Sequence, residues 1–173
     1  EFRRVLFRST LMLMLMLIEH LITIDSTNSE LMRRAAAGDY RTVCLVAKTQ
    51  TAGRGRLGRA WLSDEHSLIF SLGLPLAPQD WSGLSLAVGL SVAECLHERI
   101  QLKWPNDLWV DGKKLAGILI ETCSMRSEVS RYVVIGIGIN IEAPHAAVAQ
   151  DMKTPPCGLR DLLPSMTAQA AQD

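Results

Sequence analysis

The chain has 173 residues, 48% hydrophobic and 21% charged, which suits one globular domain with a sizeable core. Its 18 lysines and arginines balance its 18 aspartates and glutamates, so no global field draws it to nucleic acid or an anionic membrane. Cys44, Cys95, Cys123 and Cys157 are widely spaced with no CxxC pair, which argues against structural zinc and for reduced thiols in a cytoplasm.

Residues 1–9 (EFRRVLFRS) carry no helical or strand pattern that connects them to the neighbouring segment. Residues 11–18 (LMLMLMLI) are continuously apolar but far short of the roughly 20 residues that span a bilayer. Glu19 and His20 stand where a signal peptide would place small residues for cleavage. The expectation is a non-native or poorly defined leader over 1–18 ahead of a domain over 19–173, with a signal-like segment as second reading. Residues 20–25 (HLITID) read as a strand. Ser26-Thr27-Asn28 then precede a strong helix former, 29–37 (SELMRRAAA), with Thr27, Asn28 or Ser29 suited to the N-cap and Gly38 to the C-cap. Three short polar groups at a helix N-terminus also build a small polar-ligand site.

Residues 42–48 (TVCLVAK) form a second strand that runs through Gln50 into Gly53-Arg54-Gly55-Arg56-Leu57-Gly58-Arg59-Ala60-Trp61. Glycine lets backbone approach a ligand closely, and arginine offers a planar fork of donors for phosphate or carboxylate. Such a loop suits closure over a phosphorylated or adenylylated ligand, and taken alone suits a bland basic loop equally. Residues 67–74 (SLIFSLGL) read as a third, buried strand, punctuated by Pro75 and Pro78. Within 81–99, Leu84, Ala87, Val88, Ser91, Val92, Cys95 and Leu96 recur at helical spacing, which predicts an amphipathic helix on a sheet. A strand from Gln101 breaks at Pro105. Leu108-Trp109-Val110, Asp111-Gly112 and a strand over 115–123 then read as a hairpin, with Gly117 inside it marking a close approach. Residues 131–141 (RYVVIGIGINI) are the last strand, 143–156 read as loop, and 158–163 and 167 onward hint at helices. The fold class is α+β: a mixed sheet of at least five strands flanked by helices, without regular βαβ alternation. The fingerprints GxGxxG and GxxxxGK[ST] are absent from their proper settings.

Five motifs in register now carry a resemblance: Asp25-Ser-Thr-Asn28; Gln50-Thr-Ala-Gly-Arg-Gly-Arg-Leu-Gly-Arg59 with Trp61; Lys103-Trp-Pro-Asn-Asp107; Lys114-Leu-Ala-Gly-Ile-Leu119 with Glu121; and Gly136-Ile-Gly-Ile-Asn140. From about Ile24 to Ile141 the chain resembles the biotin–protein ligases. The resemblance implies a largely antiparallel sheet of the class II aminoacyl-tRNA synthetase and biotin ligase type. It also implies a two-step reaction. Biotin carboxylate attacks the α-phosphate of ATP to give biotinyl-5′-AMP and pyrophosphate, and a lysine of a biotin carboxyl carrier domain then takes the biotin and releases AMP.

That chemistry brings two anions together and needs cations at the phosphate, which Arg54, Arg56, Lys103 and Lys114 can supply. Carried over by position, Ser26, Thr27, Asn28 and Gln50 meet the biotin end. The Gly53-Arg54-Gly55-Arg56 segment folds over the intermediate and excludes water. Lys114 contacts the biotin carboxylate or its adenylate, Gly117 lets backbone approach the bicyclic ring, and Asn140 lies near the nucleotide. Lys114, Asp107, Arg56 and Lys103 are the expected catalytic residues, with Asp107 accepting the carrier lysine's proton. Mg²⁺ is implied by the nucleotide, with Asp107 or Glu121 to help hold it. Each residue has a plainer rival: Lys103 can snorkel off a strand, Asp107 can cap a turn, Trp61, Trp104 and Trp109 can simply pack, and Gly136 and Gly138 can serve the sheet alone.

Compared with the family's pattern, the expectation is a domain without the amino-terminal winged-helix DNA-binding domain of the repressor-type relatives and incomplete at its C-terminus. The adenine-covering loop is expected within 143–157, where no tryptophan stands to stack on the base. The resemblance allows a homodimer through an exposed sheet edge, which the sequence does not identify. Neither nucleic acid nor membrane is expected as a partner. The rivals are a lipoate–protein ligase, which the biotin-type loop and KWPND argue against, a biotin or biotinyl-AMP binding fragment or regulator, and a nucleic-acid module, which the neutral charge argues against.

Overall fold

The computed structural model describes residues 16–78, 80–125, 130–144, 154–167 and 170–171. The apolar and β-branched runs become seven strands: β1 Leu17–Ile24, β2 Val43–Gln50, β3 Ser67–Leu76, β4 Gln101–Lys103, β5 Asp107–Val110, β6 Lys113–Ser124 and β7 Arg131–Asn140. Among the described residues two named α-helices accompany them, α1 Thr27–Ala36 and α2 Leu84–Leu96. The strands make one sheet in the order β1-β2-β3-β7-β6-β5-β4. Only β1 and β2 pair in parallel, because α1 carries the chain back between them; the other neighbours are antiparallel. The fold is therefore α+β with a mixed, largely antiparallel sheet.

Alternation along β7 divides the core. Val133, Ile135, Ile137 and Ile139 point to one face, where α2 packs with Val88, Val92 and Ala93. Tyr132 and Val134 point to the other, beneath Leu31 and Ala35 of α1, which stand one turn apart. On α2, Gly89 lets the helix come down on Leu102, whose methyl would collide with a Cβ there. Between β5 and β6, Asp111 and Gly112 both have positive φ (49° and 77°), as a two-residue hairpin turn of the primed type requires.

Some boundaries differ from expectation. β1 begins at Leu17, three residues early, because Leu17 and Ile18 already pair with Val43 and Cys44. The N-cap of α1 is Ser26, not Thr27, Asn28 or Ser29: its extended backbone precedes the helix and its side chain accepts from the Ser29 amide. Gly38 follows the C-cap at φ 90°, and the amides of Gly38 and Asp39 return to Ala35 and Arg34, the paired bonds of a Schellman turn. Residues 158–163 make only a 3₁₀ turn, Leu159–Asp161. All four cysteines are free. Among the described residues no helix is long and apolar enough to cross a membrane.

Candidate active site

Continuing along the α1 face of β7, the residues after Tyr132 and Val134 are Gly136 and Gly138. Removing two side chains in alternate positions opens a trough in a sheet otherwise covered by the helix. Neither glycine is idle: a Cβ at Gly136 would overlap the Asn28 amide, and one at Gly138 would overlap the Trp61 indole. Gly117 pairs with Gly138 across β6–β7 and lies under the same indole. The resulting cleft has an interior of about 130 Å³, with the α1 N-terminus and Gln50 at one end and Lys114 and Asp107 at the other.

The α1 end is a chain of polar side chains. The Thr27 amide and hydroxyl both donate to Gln50 Oε1, at 2.8 and 3.1 Å. Asn28 Nδ2 donates to the Leu119 carbonyl at 3.2 Å and to Glu121 Oε2 at 3.0 Å, so its Oδ1 faces the other way. There it meets Ser71 Oγ at 2.6 Å, while Ser71 also lies 2.7 Å from Thr27 Oγ1. A serine has one hydroxyl proton and cannot serve both oxygens at once. The Ser71 and Thr27 hydroxyls share their protons between them, and this end of the cleft presents hydroxyl and amide side chains that can exchange donor and acceptor roles with a polar ligand. Ser71 is fully buried, and in sequence it looked like one more residue of an apolar strand. Only the strand order, which brings β3 beside β7, shows it to be part of the site.

Asp25, first residue of the same motif, serves the scaffold. Arg33 of α1 grips its carboxylate at 2.6 and 2.8 Å, and hydrogen bonding to that guanidinium holds its pKa down at about 2.

Above the trough, the glycine–arginine loop folds as a small hairpin. Arg54 bridges to Ala60, the Gly55 amide donates to the Arg59 carbonyl at 2.7 Å, and the Trp61 amide donates to the Gly53 carbonyl at 2.9 Å. Leu57 and Gly58 turn it with φ of 57° and 71°. Arg56 reaches across to Asn106 Oδ1 at 3.3 Å, while Arg54 binds Glu121 at 2.6 and 2.9 Å. Four cations, Arg54, Arg56, Arg59 and Lys114, line the cleft against one carboxylate, Asp107. In a neutral chain, that local excess is built for an anion.

Lys114 lies at the mouth. Its ammonium is 2.7 Å from Asp107 Oδ1 and 5.6 Å from the centre of the Trp61 ring. Its backbone is pinned on both sides: its amide donates to the Pro155 carbonyl, and its carbonyl accepts from the Cys157 amide and from Asn140 Nδ2.

Ser26, Thr27, Asn28, Gln50, Arg54, Gly55, Arg56, Asp107, Lys114 and Gly117 thus gather at one cleft, Gly53 closes the base of its loop, and Arg59, Trp61, Asn106 and Ser71 join them. Three expectations place differently. Lys103 stands opposite Asp107 in the β4–β5 ladder, but its ammonium lies 3.5 Å above the Trp109 ring, where a cation–π contact holds it away from the cleft. Asn140 is buried behind Lys114, bonded to the Lys114 and Cys157 carbonyls. Asp107 and Glu121, the expected Mg²⁺ ligands, are paired here with Lys114 and Arg54, and among the described residues no three His, Cys, Asp or Glu side chains gather. Of the stretch 143–157 in which the adenine-covering loop is expected, residues 145–153 lie outside the described residues.

Fold and cleft together define a catalytic domain of the class II aminoacyl-tRNA synthetase and biotin ligase type. The structure is similar to the biotin protein ligase from Aquifex aeolicus in complex with biotin and ATP, with a TM-score of 0.65 and 35% identity over 84% of this chain and 60% of that one. Residues 21–140 match the model of the biotin/lipoate A/B protein ligase family, and the chain belongs to that family. It is 42% identical to a biotin–[acetyl-CoA-carboxylase] ligase from Mycobacterium tuberculosis over 69% of its own length and 47% of the relative's. It is 40% identical to the bifunctional ligase/repressor BirA of Escherichia coli over 68% of its length and 38% of that protein. The chain spans about 30 to 60% of the length of the curated relatives it matches.

Proposed function

We propose that this domain is an ATP-dependent biotin–protein ligase that makes biotinyl-5′-AMP and passes the biotinyl group to a lysine of a biotin carboxyl carrier domain. One observation carries the reading: a single cleft joins an end lined by the hydroxyl and amide side chains of Ser26, Thr27, Asn28 and Gln50, suited to the polar edge of a ureido ring, to a cation-rich end suited to a carboxylate and a phosphate. In the first step the biotin carboxylate oxygen bonds to the α-phosphorus of ATP and the bond to pyrophosphate breaks. Lys114, Arg54, Arg56 and Arg59 lower the repulsion between the two anions and stabilise the charge that builds on the phosphate oxygens. Mg²⁺ would arrive with the nucleotide phosphates, as is usual for that ion.

In the second step the carrier amine attacks the acyl carbon and AMP leaves. That amine must first lose a proton, and Asp107 is the carboxylate at hand. In the ligand-free cleft Asp107 is held by Lys114; once Lys114 turns to the acyl phosphate, Asp107 is free to take the proton. The closed loop keeps water from the mixed anhydride meanwhile. The four free thiols suit a reducing compartment such as the cytoplasm.

The test is pyrophosphate release by this chain with ATP and biotin. Release should depend on biotin, resist competition by lipoate, and fall by about 100-fold or more in Lys114→Ala, the scale for losing a positioned charge at the reacting centre. Release that ignores biotin, or survives in Lys114→Ala, would overturn the assignment. Biotin binding without release would show a recognition site that needs more chain for chemistry.

A further inference from the structure

The glycine–arginine loop has an apolar tip, Leu57, that is 85% exposed. Its hold on the sheet comes from its base. The Arg56 contact to a neutral amide is long, at 3.3 Å. The Arg54 contact is charged and short, at 2.6 and 2.9 Å, and it goes to Glu121 on β6. The same carboxylate accepts from Asn28 Nδ2 at 3.0 Å, and Asn28 in turn meets Ser71 and, through it, Thr27. One half-buried carboxylate thus ties the loop to the polar end of the cleft, across 67 residues of chain on one side and 93 on the other.

Resting on the ligase reading for its consequence in catalysis, we propose that Glu121 is a positioning residue that latches the glycine–arginine loop shut. It is outside the cleft lining and touches no reacting atom. When the latch is lost, the loop opens more often and water reaches the bound intermediate. Water then adds to the acyl carbon, the bond to the phosphate oxygen breaks, and biotin and AMP leave. Adenylation continues while transfer becomes wasteful. The link through Asn28 also makes the latch sensitive to what occupies the polar end, because a ligand that re-aims the Asn28 amide changes the donors around Glu121.

The experiment has two arms on the full chain. In the first, ligand-free protein is exposed to trypsin and cleavage after Arg56 and Arg59 is timed, with fragments assigned by mass. Glu121→Gln is nearly isosteric and should speed cleavage at these sites by about fivefold, the scale of a pair worth roughly 1 kcal/mol. Arg54→Gln, which breaks the same pair from the loop side, should do the same, and the double variant should open the loop no further than either single one. In the second arm, pyrophosphate released per carrier lysine biotinylated should rise by about fivefold in Glu121→Gln while the rate of pyrophosphate release stays within about twofold. Unchanged cleavage, additive effects in the double variant, or an unchanged coupling ratio with a fallen adenylation rate would overturn the latch. A wild-type chain that releases no pyrophosphate with biotin and ATP would count against the ligase reading alone, and the trypsin arm would still decide the latch.

Discussion

At the scale of single residues, the site depends on what β7 omits. Asn28 fits only because Gly136 has no side chain, and Trp61 lies flat only because Gly138 has none. Gly136→Ala should therefore push the Asn28 amide out of register, costing about 1–3 kcal/mol of stability by overpacking. Because Asn28 orders Ser71 and Thr27, biotin affinity should fall by roughly tenfold or more, the scale of losing one well-made polar contact. Thermal melting and calorimetric titration would read both; a variant with wild-type affinity would remove Asn28 from the binding end. The residue types were legible in sequence because they sit inside motifs. What each one touches was not. Gly117 reads as a place for a ligand, yet the group above it is Trp61, 56 residues earlier in the chain. Lys103 reads as a phosphate ligand, yet a tryptophan two residues beyond its ladder partner captures it. Such pairings are settled by strand order and rotamer, which local pattern does not encode.

At the scale of the element, α1 serves the fold with one end and lines the cleft with the other. Gly38 was readable as its terminator because a left-handed residue after a run of alanines has few alternatives. The N-cap was harder, since four consecutive short polar residues all suit that place. Tertiary contacts decide it: Thr27 and Asn28 are committed to Gln50, Ser71 and Glu121, which leaves Ser26 to cap. The two ends should separate experimentally. Gly38→Ala meets no neighbour within 4 Å, so its cost is backbone strain alone, about 1 kcal/mol, and biotin affinity should stay within about twofold. Ser26→Ala should cost about 1 kcal/mol in the cap and weaken biotin binding as well, because Ser26 lines the cleft. Equal effects of the two variants on affinity would mean that the helix acts on the ligand as a whole and not through its N-terminus.

At the scale of the molecule, the sheet's two faces are covered so thoroughly that three weakly acidic side chains are sealed in different parts of it. The class of fold was legible from the mixture of hairpins and helices; the position of β7 between β3 and β6 was not, because nothing local joins strands so far apart. That arrangement buries Cys44 on the α2 face, Tyr132 under α1 with its hydroxyl donating to the Arg41 carbonyl, and Cys157 beside the start of β6. Burial pushes the two thiols up to about 11 and the phenol to about 12. In the unfolded chain the thiols ionise near 9 and the phenol near 10, so above those values the unfolded state sheds protons that the native state keeps. Stability is then fully present below pH 9 and falls as pH rises through 9 to 12. Each thiol should contribute a loss on the order of 2 kcal/mol, a large share of the roughly 5–15 kcal/mol typical of a domain. The acid side should be gentler in these terms, because the carboxylates held down at about 2, Asp25 and Asp39, are paired at the surface with Arg33 and Arg41 and are screened by solvent. Urea unfolding at pH 7, 9, 10 and 11 should show the midpoint nearly constant to 9 and then declining. Cys44→Ala and Cys157→Ala should each flatten that decline while lowering the plateau. A wild-type midpoint that stays level to pH 11 would mean that water reaches these thiols in the native protein, and that the two faces of the sheet are less tightly covered than the packing of α1 and α2 requires.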